Sequence, residues 1–298
     1  MDESTKKGVI FALTAYILWG IAPVYFKQMQ TIAAPEILAH RIVWSFVLTL
    51  GLIALFNKRE LLMAALRSGR ARWALMASTT LIAINWGVFI WAVNNNYMLD
   101  VSLGYYVNPL INILLGMLFF RERLDRVRTI AAILCLAAVV FEVVQFGRLP
   151  WIALVVGCSF AFYGLVRKKL GVDSFTGMAL ETGLLLPVAM GYLLLTSSPT
   201  SNLLENSGWT NLLLFAAGPV TMVPLMCFAA AANRISLTAL GFFQYIGPSG
   251  MFLLAVFVYD EPLGPEKLVT FGLIWLALII LTLDSLRKMH RRRALQPS

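Results

Sequence analysis

Several ionisable side chains stand inside long apolar runs of this 298-residue sequence. In such surroundings they are costly, so they usually face a partner or an internal cavity and are the first candidates for a functional site. The imidazole of His40 titrates near neutral pH, and Glu181 could also take up a proton. Arg41 could either act in the interior or extend to the membrane interface. We predict proton coupling or gating for these three residues, with simple bonding to neighbouring helices as the alternative.

Amide and aromatic side chains form a second group, which suits a ligand with a flat apolar part and a polar head. Tyr105, Asn108 and Asn112 fall at i, i+3 and i+7, so they share one face of a helix. The predicted substrate-binding residues are Asn85, Trp86, Tyr105, Asn108, Asn112, Gln244 and Tyr245. The alternative is that these amides only join helices, which contributes about 0.6 kcal/mol for each hydrogen bond.

Two prolines accompany these residues. Pro109 lies on the same run as Tyr105 and Asn108, and Pro248 follows Tyr245. A proline inside a helix frees a backbone carbonyl and allows a bend. We therefore predict that Pro109 and Pro248 act as hinges.

Motifs for covalent or metal chemistry are missing from the sequence. It has no G-x-x-x-x-G-K-[ST] or H-E-x-x-H motif, and GPSG at 247–250 lacks the second spacing of G-x-S-x-G. Its two histidines and three cysteines are too scattered for a convincing metal site. We expect no enzymatic activity, no metal and no cofactor.

The elements that position these residues are membrane-spanning helices. Hydrophobic residues make up 59% of the chain, charged residues 13%, and the mean hydropathy is +0.78, which is far more apolar than a soluble domain. Runs of about 20 apolar residues span the hydrocarbon core. The predicted spans are 8–27, 37–56, 73–93, 101–120, 127–146, 150–167, 177–196, 210–232, 237–259 and 267–286. The sequence therefore predicts an all-α membrane protein with ten transmembrane helices.

Basic residues alternate between the connections. Of the 24 lysines and arginines, 20 fall at the termini and in every second connection, whereas three fall in the other connections. Positive charge is retained on the cytoplasmic side, so both termini are predicted to be cytoplasmic. The net charge of +9 is explained by this placement, and we expect no nucleic-acid partner.

The two halves of the chain repeat a pattern. Pro109 and Glu122 are 13 residues apart, as are Pro248 and Glu261. The connection after the first pair is rich in arginine, whereas the one after the second is mainly acidic. Because five helices are an odd number, the second copy must be inverted. We predict two inverted five-helix repeats, 1–146 and 147–286, followed by a basic cytoplasmic tail at 287–298. Glu122 and Glu261 should cap or gate at opposite membrane faces.

With this five-plus-five pattern, several blocks of the sequence resemble the EamA family of the drug/metabolite transporter superfamily. They are HRIVWS at 40–45, INW at 84–86, IWAVN at 90–94, SLGYY at 102–106 and QYIGP at 244–248. The resemblance covers essentially the whole chain. It implies ten helices around a central cavity, a place in the bacterial inner membrane, and export or exchange of small solutes.

The main hypothesis is a secondary transporter, an exporter or facilitator of small amphipathic metabolites or drugs that works by alternating access without ATP. Its partners would be the small-molecule substrate and the lipid bilayer. One alternative is a non-transporting membrane component, such as a lipid-handling or scaffold subunit. Another is an intramembrane enzyme, which the missing motifs disfavour. The sequence leaves the substrate, the coupling ion and the oligomeric state open.

Overall fold

A computed structural model describes residues 3–56, 60, 63, 69–120, 126–146, 149–170, 174–198, 200, 202–232, 234–235 and 243–294. Ten long helices account for most of this part of the chain. They are α1 (Glu3–Lys27), α2 (Ala34–Leu55), α3 (Gly69–Asn94), α4 (Met98–Phe120), α5 (Arg126–Phe146), α6 (Trp151–Leu170), α7 (Ser174–Leu195), α8 (Gly208–Ala232), α9 (Ile246–Phe257) and α10 (Pro265–Ala294). The all-α prediction and the ten helices are confirmed for the described residues.

The helix boundaries follow local sequence signals. At the start of α2, Ala33 is extended and Pro35 lies in the first turn, where a proline fits because its missing N–H would have no helical partner. Pro187 in α7 and Pro219 and Pro224 in α8 lie inside helices, which membrane helices tolerate when their neighbours satisfy the freed backbone groups. The ninth predicted span begins at 237, but the described helix α9 starts at Ile246 and residues 236–242 lie outside the described part.

Six of the described helices are long and apolar enough to cross a membrane. Their outward faces carry large apolar side chains, among them Leu55, Val188 and Leu195, which are 75%, 71% and 87% exposed. Soluble monomers rarely expose apolar surface on this scale. The exposed apolar surface therefore indicates contact with lipid.

The helices pack in pairs that cross between the two halves of the chain. Helix α1 contacts α8 and α9, while α6 contacts α3 and α4. Helix α2 contacts α7 and α8, and α5 packs against α10. The first five helices therefore pack mainly against the last five.

Glycines allow the closest of these approaches. A Cβ added to Gly104 of α4 would lie 2.6 Å from the backbone oxygen of Ala153 in α6, and one on Gly157 would lie 2.9 Å from the oxygen of Gly104. In the α1–α9 pair, a Cβ on Gly20 would lie 3.2 Å from the oxygen of Gly247. Small residues of this kind bring membrane helices into backbone contact.

The helix bundle has two ends. The Lys27 end is where α1 ends and α4 begins, and it includes Lys27, Met98 and Glu261. The Arg167 end is the opposite one, where α6 ends and α7 begins.

Candidate functional site

Arg41 lies among the first four helices with its charge directed at aromatic rings. Its guanidinium carbon is 4.1 Å from the centroid of the Trp86 ring on α3 and 5.7 Å from that of Phe26 on α1. Nε of Arg41 is buried and has no hydrogen-bond partner among the described residues. The arginine is therefore held by cation–π contact, which is strong where water is largely excluded.

The surroundings of Arg41 are partly open. Arg41, Tyr25, Trp86 and Tyr105 are each half-buried, although they stand on four different helices that enclose them. Tyr25 and Tyr105 both interact electrostatically with Arg41, and the Tyr25 hydroxyl donates to the backbone oxygen of Leu213 on α8 at 2.5 Å. We call Tyr25, Arg41, Trp86 and Tyr105 the Arg41 cluster. In it Arg41, predicted for gating, lies beside Trp86 and Tyr105, which were predicted for substrate binding.

A row of aromatic rings leads away from this cluster. Successive centroids are 5.5 Å apart for Phe26 and Phe89, 6.3 Å for Phe89 and Tyr105, 5.9 Å for Tyr105 and Phe160, and 6.1 Å for Phe160 and Tyr163. The row starts on α1 and ends on α6, toward the Arg167 end. Neighbouring rings in the row are tilted or edge-to-face, which are favourable arrangements for aromatic pairs.

Asn85 joins three helices in this structure. Its Nδ2 donates to the backbone oxygen of Val156 at 2.9 Å and to Oγ of Ser159 at 3.1 Å, both on α6. Its Oδ1 accepts from the Tyr105 hydroxyl at 3.3 Å. Asn85 is only 1% exposed, so its amide is fully used by protein partners in this conformation.

Asn108, which lies on α4, also binds α6. Its Nδ2 donates to the backbone oxygen of Gly157 at 3.1 Å, and the side chain is buried. Both amides therefore bind α6 across the boundary between the halves. The side chains of Asn112 and Pro109, predicted on the same helix face, lie outside the described residues.

Gln244 and Tyr245 stand just before α9 and share a side-chain hydrogen bond. Both are half-buried. The structure shows no hydrogen bond or ring contact between these two residues and Arg41 or Trp86 in the described part of the chain.

Pro248 is the third residue of α9, where a proline is compatible with a helix start. Its backbone oxygen accepts from Oγ of Ser102 on α4 at 2.8 Å. One residue later, Oγ of Ser249 shares a 2.6 Å hydrogen bond with the hydroxyl of Tyr106. These bonds fix the start of α9 to α4.

Glu181 forms a buried polar cluster near the Arg167 end. Its carboxylate accepts from Oγ of Ser78 at 2.7 Å and from the hydroxyl of Tyr163 at 3.2 Å. Nη1 of Arg167 lies 3.7 Å from its Oε1. The carboxylate, which is 2% exposed, therefore joins α3, α6 and α7, and Arg167 is a partner that the sequence did not indicate.

His40 is buried one turn after Glu36 on α2, and the two interact electrostatically. The carboxylate of Glu36 accepts from Oγ of Ser198 at 2.8 Å and from Oγ1 of Thr200 at 2.5 Å. Glu36 therefore fastens α2 to the segment after α7. Its place at the edge of an apolar run was the signal that sequence reasoning missed.

The Lys27 end is closed by several polar contacts between helices. The backbone N–H groups of Met98 and Leu99 donate to the two carboxylate oxygens of Glu261 at 2.8 and 2.9 Å. Lys27 donates to Oδ1 of Asn96 and lies 5.1 Å from the ring centroid of Tyr259. Glu261 thus caps the start of α4, as helix N-termini favour an anion. The predicted capping role of Glu261 is confirmed, while Glu122 lies outside the described residues.

The described residues form no metal site, and a small cavity among them is separate from the predicted site residues. No group of three or more His, Cys, Asp or Glu side chains there is arranged to hold a metal ion. A small cavity between α4, α5, α6 and α10 contains none of the predicted site residues. It is lined by Leu103, Val107, Val139, Pro150, Ala153, Leu154, Thr270 and Ile274.

Similarity to known proteins agrees with this architecture. The model of the EamA-like transporter family matches residues 6–144. Protein RarD of Escherichia coli (strain K12) is 50% identical over 97% of this chain and 98% of its own length. An uncharacterized transporter of Vibrio cholerae is 49% identical over 98% of this chain and 97% of its own.

A solved crystal structure shares the fold, with a TM-score of 0.60 and 18% identity over 94% of this chain and 98% of that one. The matching family is one of transporters, one bacterial relative is named a transporter, and six described helices are apolar enough to span a membrane. The chain is therefore a multi-pass inner-membrane protein and not an enzyme. It belongs to the EamA-like transporter family, within the group of RarD proteins.

Proposed function

We propose that this protein is a secondary transporter that moves small amphipathic metabolites or drugs by alternating access, as an exporter or facilitator. The observation that carries the proposal is the Arg41 cluster. It combines a charge, aromatic faces and partial openness in the interior of a membrane protein, where an unused polar group is costly. Such a combination fits a binding site for a small solute.

Inverted halves are part of the proposal. If α1–α5 correspond to α6–α10 in order, the contacts of α1 with α8 and α9 correspond to those of α6 with α3 and α4. The pairs α2–α7, α4–α9 and α5–α10 are likewise in contact and map onto themselves. This symmetry of contacts supports two inverted repeats, 1–146 and 147–286, with the substrate site between them.

The orientation follows from charge. The basic connections and the tail 287–298 are proposed to lie in the cytoplasm, with both termini. The Lys27 end then faces outward, and its bonds through Glu261 and Glu36 hold that side closed. In the alternate state these bonds open and the Arg167 end closes.

The predicted site residues take roles within this cycle. Asn85 and Asn108 bind α6 in the present state, so a shift of α6 frees their amides for the solute. Gln244 and Tyr245 line the corresponding face of the second half. Pro109 provides the bend, whereas Pro248, which lies in the first turn of α9, adjusts the start of that helix.

Proton coupling is assigned to the buried ionisable groups. Glu181 is bonded to Arg167, Ser78 and Tyr163, and protonating it would weaken the hold of α7 on α3 and α6. His40 stands beside Glu36 at the opposite end. Titration of these groups would link the proton gradient to the closing of either end.

The test is uptake into liposomes that contain the purified protein. A panel of amino acids, nucleosides and drugs is offered with and without a proton gradient, and at least one compound should enter faster than into protein-free liposomes. Trp86→Ala should slow that uptake at least about tenfold, because it removes the ring beside Arg41 and the packing around it. Trp209→Ala, which alters a ring that is 61% exposed, is the matched control and should not.

Failure to move any compound of the panel would contradict the proposal. If the protein nevertheless bound one of these compounds tightly in detergent, the non-transporting membrane component would become the better account.

A further inference from the structure

We propose that the transported solute is an organic anion, a carboxylate or phosphate carried on a flat ring, and that Arg41 binds its charge. This inference rests on the proposed function and adds the chemical class of the substrate. It follows from the charge balance of the interior.

Arg41 has no counter-ion among the described residues. Ion pairs there join Lys7 to Glu3, Arg167 to Glu181 and Lys267 to Asp100. Arg41 makes only ring contacts, and its buried Nε has no hydrogen-bond partner. A charge in the interior is costly unless an opposite charge or several hydrogen bonds compensate it.

The three buried acids in the described part of the chain are already engaged by other groups. Glu36 accepts two hydroxyl hydrogen bonds at the start of α2, and Glu261 caps α4. Glu181 is bonded to Ser78, Tyr163 and Arg167 at the other end. No buried acid that the structure describes is left to pair with Arg41, so the proposal takes the missing negative charge from a molecule that enters the Arg41 cluster.

The arrangement of Arg41 suits an anion with a ring. A guanidinium that lies over the face of Trp86 still has N–H groups along its edge, which bind a carboxylate or phosphate through two parallel hydrogen bonds. The half-buried rings of Tyr25 and Tyr105 offer flat surfaces beside it. Their hydroxyl protons are already donated to Leu213 and Asn85, so these hydroxyls do not compete with Arg41 as donors to the anion.

Charge should then dominate selectivity. A neutral analogue of the same shape would leave the guanidinium without its partner, which costs more than the loss of one neutral hydrogen bond. A difference of 1.4 kcal/mol corresponds to tenfold in affinity. We expect an anion to bind at least about tenfold more tightly than its neutral isostere.

The experiment compares matched pairs by isothermal titration and thermal shift of the full-length purified protein. Benzoate is paired with benzamide, indole-3-acetate with indole-3-acetamide, and phenyl phosphate with phenyl methanesulfonate, whose neutral tetrahedral group has a similar shape. Each anion should bind at least about tenfold more tightly than its neutral partner. This comparison uses the unmodified protein, so it does not depend on any variant folding.

Variants locate the effect. Arg41→Gln should abolish the preference for the anion, and Arg41→Lys should keep part of it because the charge remains without the planar fork. Arg234→Gln is the matched control, since Arg234 is exposed and also lies over a ring, 5.4 Å from the centroid of Phe11. The control should retain the full preference.

The outcomes separate the two proposals. Equal binding and equal transport of acid and amide would overturn the inference but leave the transporter intact. No binding and no transport of any compound would overturn both. Displacement of benzoate by phosphatidylglycerol, with a thermal shift that depends on Arg41, would identify a lipid phosphate as the occupant and overturn the assignment to a free solute.

Discussion

At the scale of single residues, the interior polar side chains differ in what they already bind. Asn85, Asn108 and Glu181 are buried and bonded to protein partners. Arg41 is half-buried and has rings but no counter-ion among the described residues. Groups of the first kind join helices, whereas Arg41 is the group that we propose binds the solute.

The bonds of Glu181 lead to a first prediction. Glu181→Ala leaves Arg167 and two hydroxyls without their acceptor, so the free energy of unfolding should fall by about 2 kcal/mol. This is below the range for fully buried pairs because Arg167 is part exposed. The measurement is Tm in detergent. The control is Glu205→Ala, which removes an exposed carboxylate and should leave Tm unchanged. If both variants had the same Tm, the bonds of Glu181 would not stabilise the fold.

Sequence reasoning found these residues but not their partners. A polar side chain in an apolar run is visible in the sequence, which is why Arg41, Asn85 and Glu181 could be predicted. Their partners come from other helices, such as Ser159 and Arg167, and sequence spacing carries no information about contacts between distant helices. Tyr25 was missed because one tyrosine at the end of a span is ordinary at an interface.

At the scale of elements, the α4–α6 pair is held by close backbone contact. Gly104→Ala would place a Cβ 2.6 Å from a backbone oxygen of α6, which forces the helices apart. We expect a loss of about 1–3 kcal/mol in the free energy of unfolding. Thermal unfolding in detergent measures it.

Gly164→Ala is the control for this prediction. Gly164 lies on α6, and a Cβ there would meet nothing within 4 Å, so an alanine should be neutral or stabilising because it favours the helix. If Gly104→Ala were as stable as Gly164→Ala, the two helices would not approach as closely as described.

The cap of α4 gives a second prediction at this scale. Glu261→Ala removes the acceptor of two backbone N–H groups, and the first turn of α4 should fray, at a cost of about 1–2 kcal/mol. Hydrogen exchange at Met98 and Leu99 should become faster. Asp260→Asn, which changes the neighbouring exposed acid and keeps a residue type that tolerates its φ of 49°, should leave exchange at both positions slow.

At the scale of the whole molecule, the sequence predicted the helices more completely than it predicted the partners of single residues. The apolar runs predicted ten helices, because every helix that crosses the bilayer needs an apolar run of about the same length. The start predicted for the ninth span, residue 237, lies outside the described residues. Packing between the two halves of the chain could not be read from hydropathy. The proposed repeat could be predicted because Pro109 and Pro248 each lie 13 residues before a glutamate.

The proposed orientation predicts which residues reagents reach. In a variant without Cys135, Cys158 and Cys227, single cysteines replace Gln30, Asn202, Lys6 or Arg234, all of them exposed. A membrane-impermeant maleimide should label positions 30 and 202 in whole cells, and positions 6 and 234 only after the cells are opened. Labelling of position 6 from outside would contradict cytoplasmic termini.

The central claim is that a single site is exposed to each side of the membrane in turn. Solute counterflow tests this claim most directly. Liposomes containing the protein are loaded with an excess of the panel compound that enters fastest, and a trace of the same compound, radiolabelled, is added outside. A carrier changes sides faster when it is loaded than when it is empty. The label should therefore accumulate inside the liposomes, transiently above its external concentration. Label that only equilibrates, or enters no faster than into protein-free liposomes, would contradict the account.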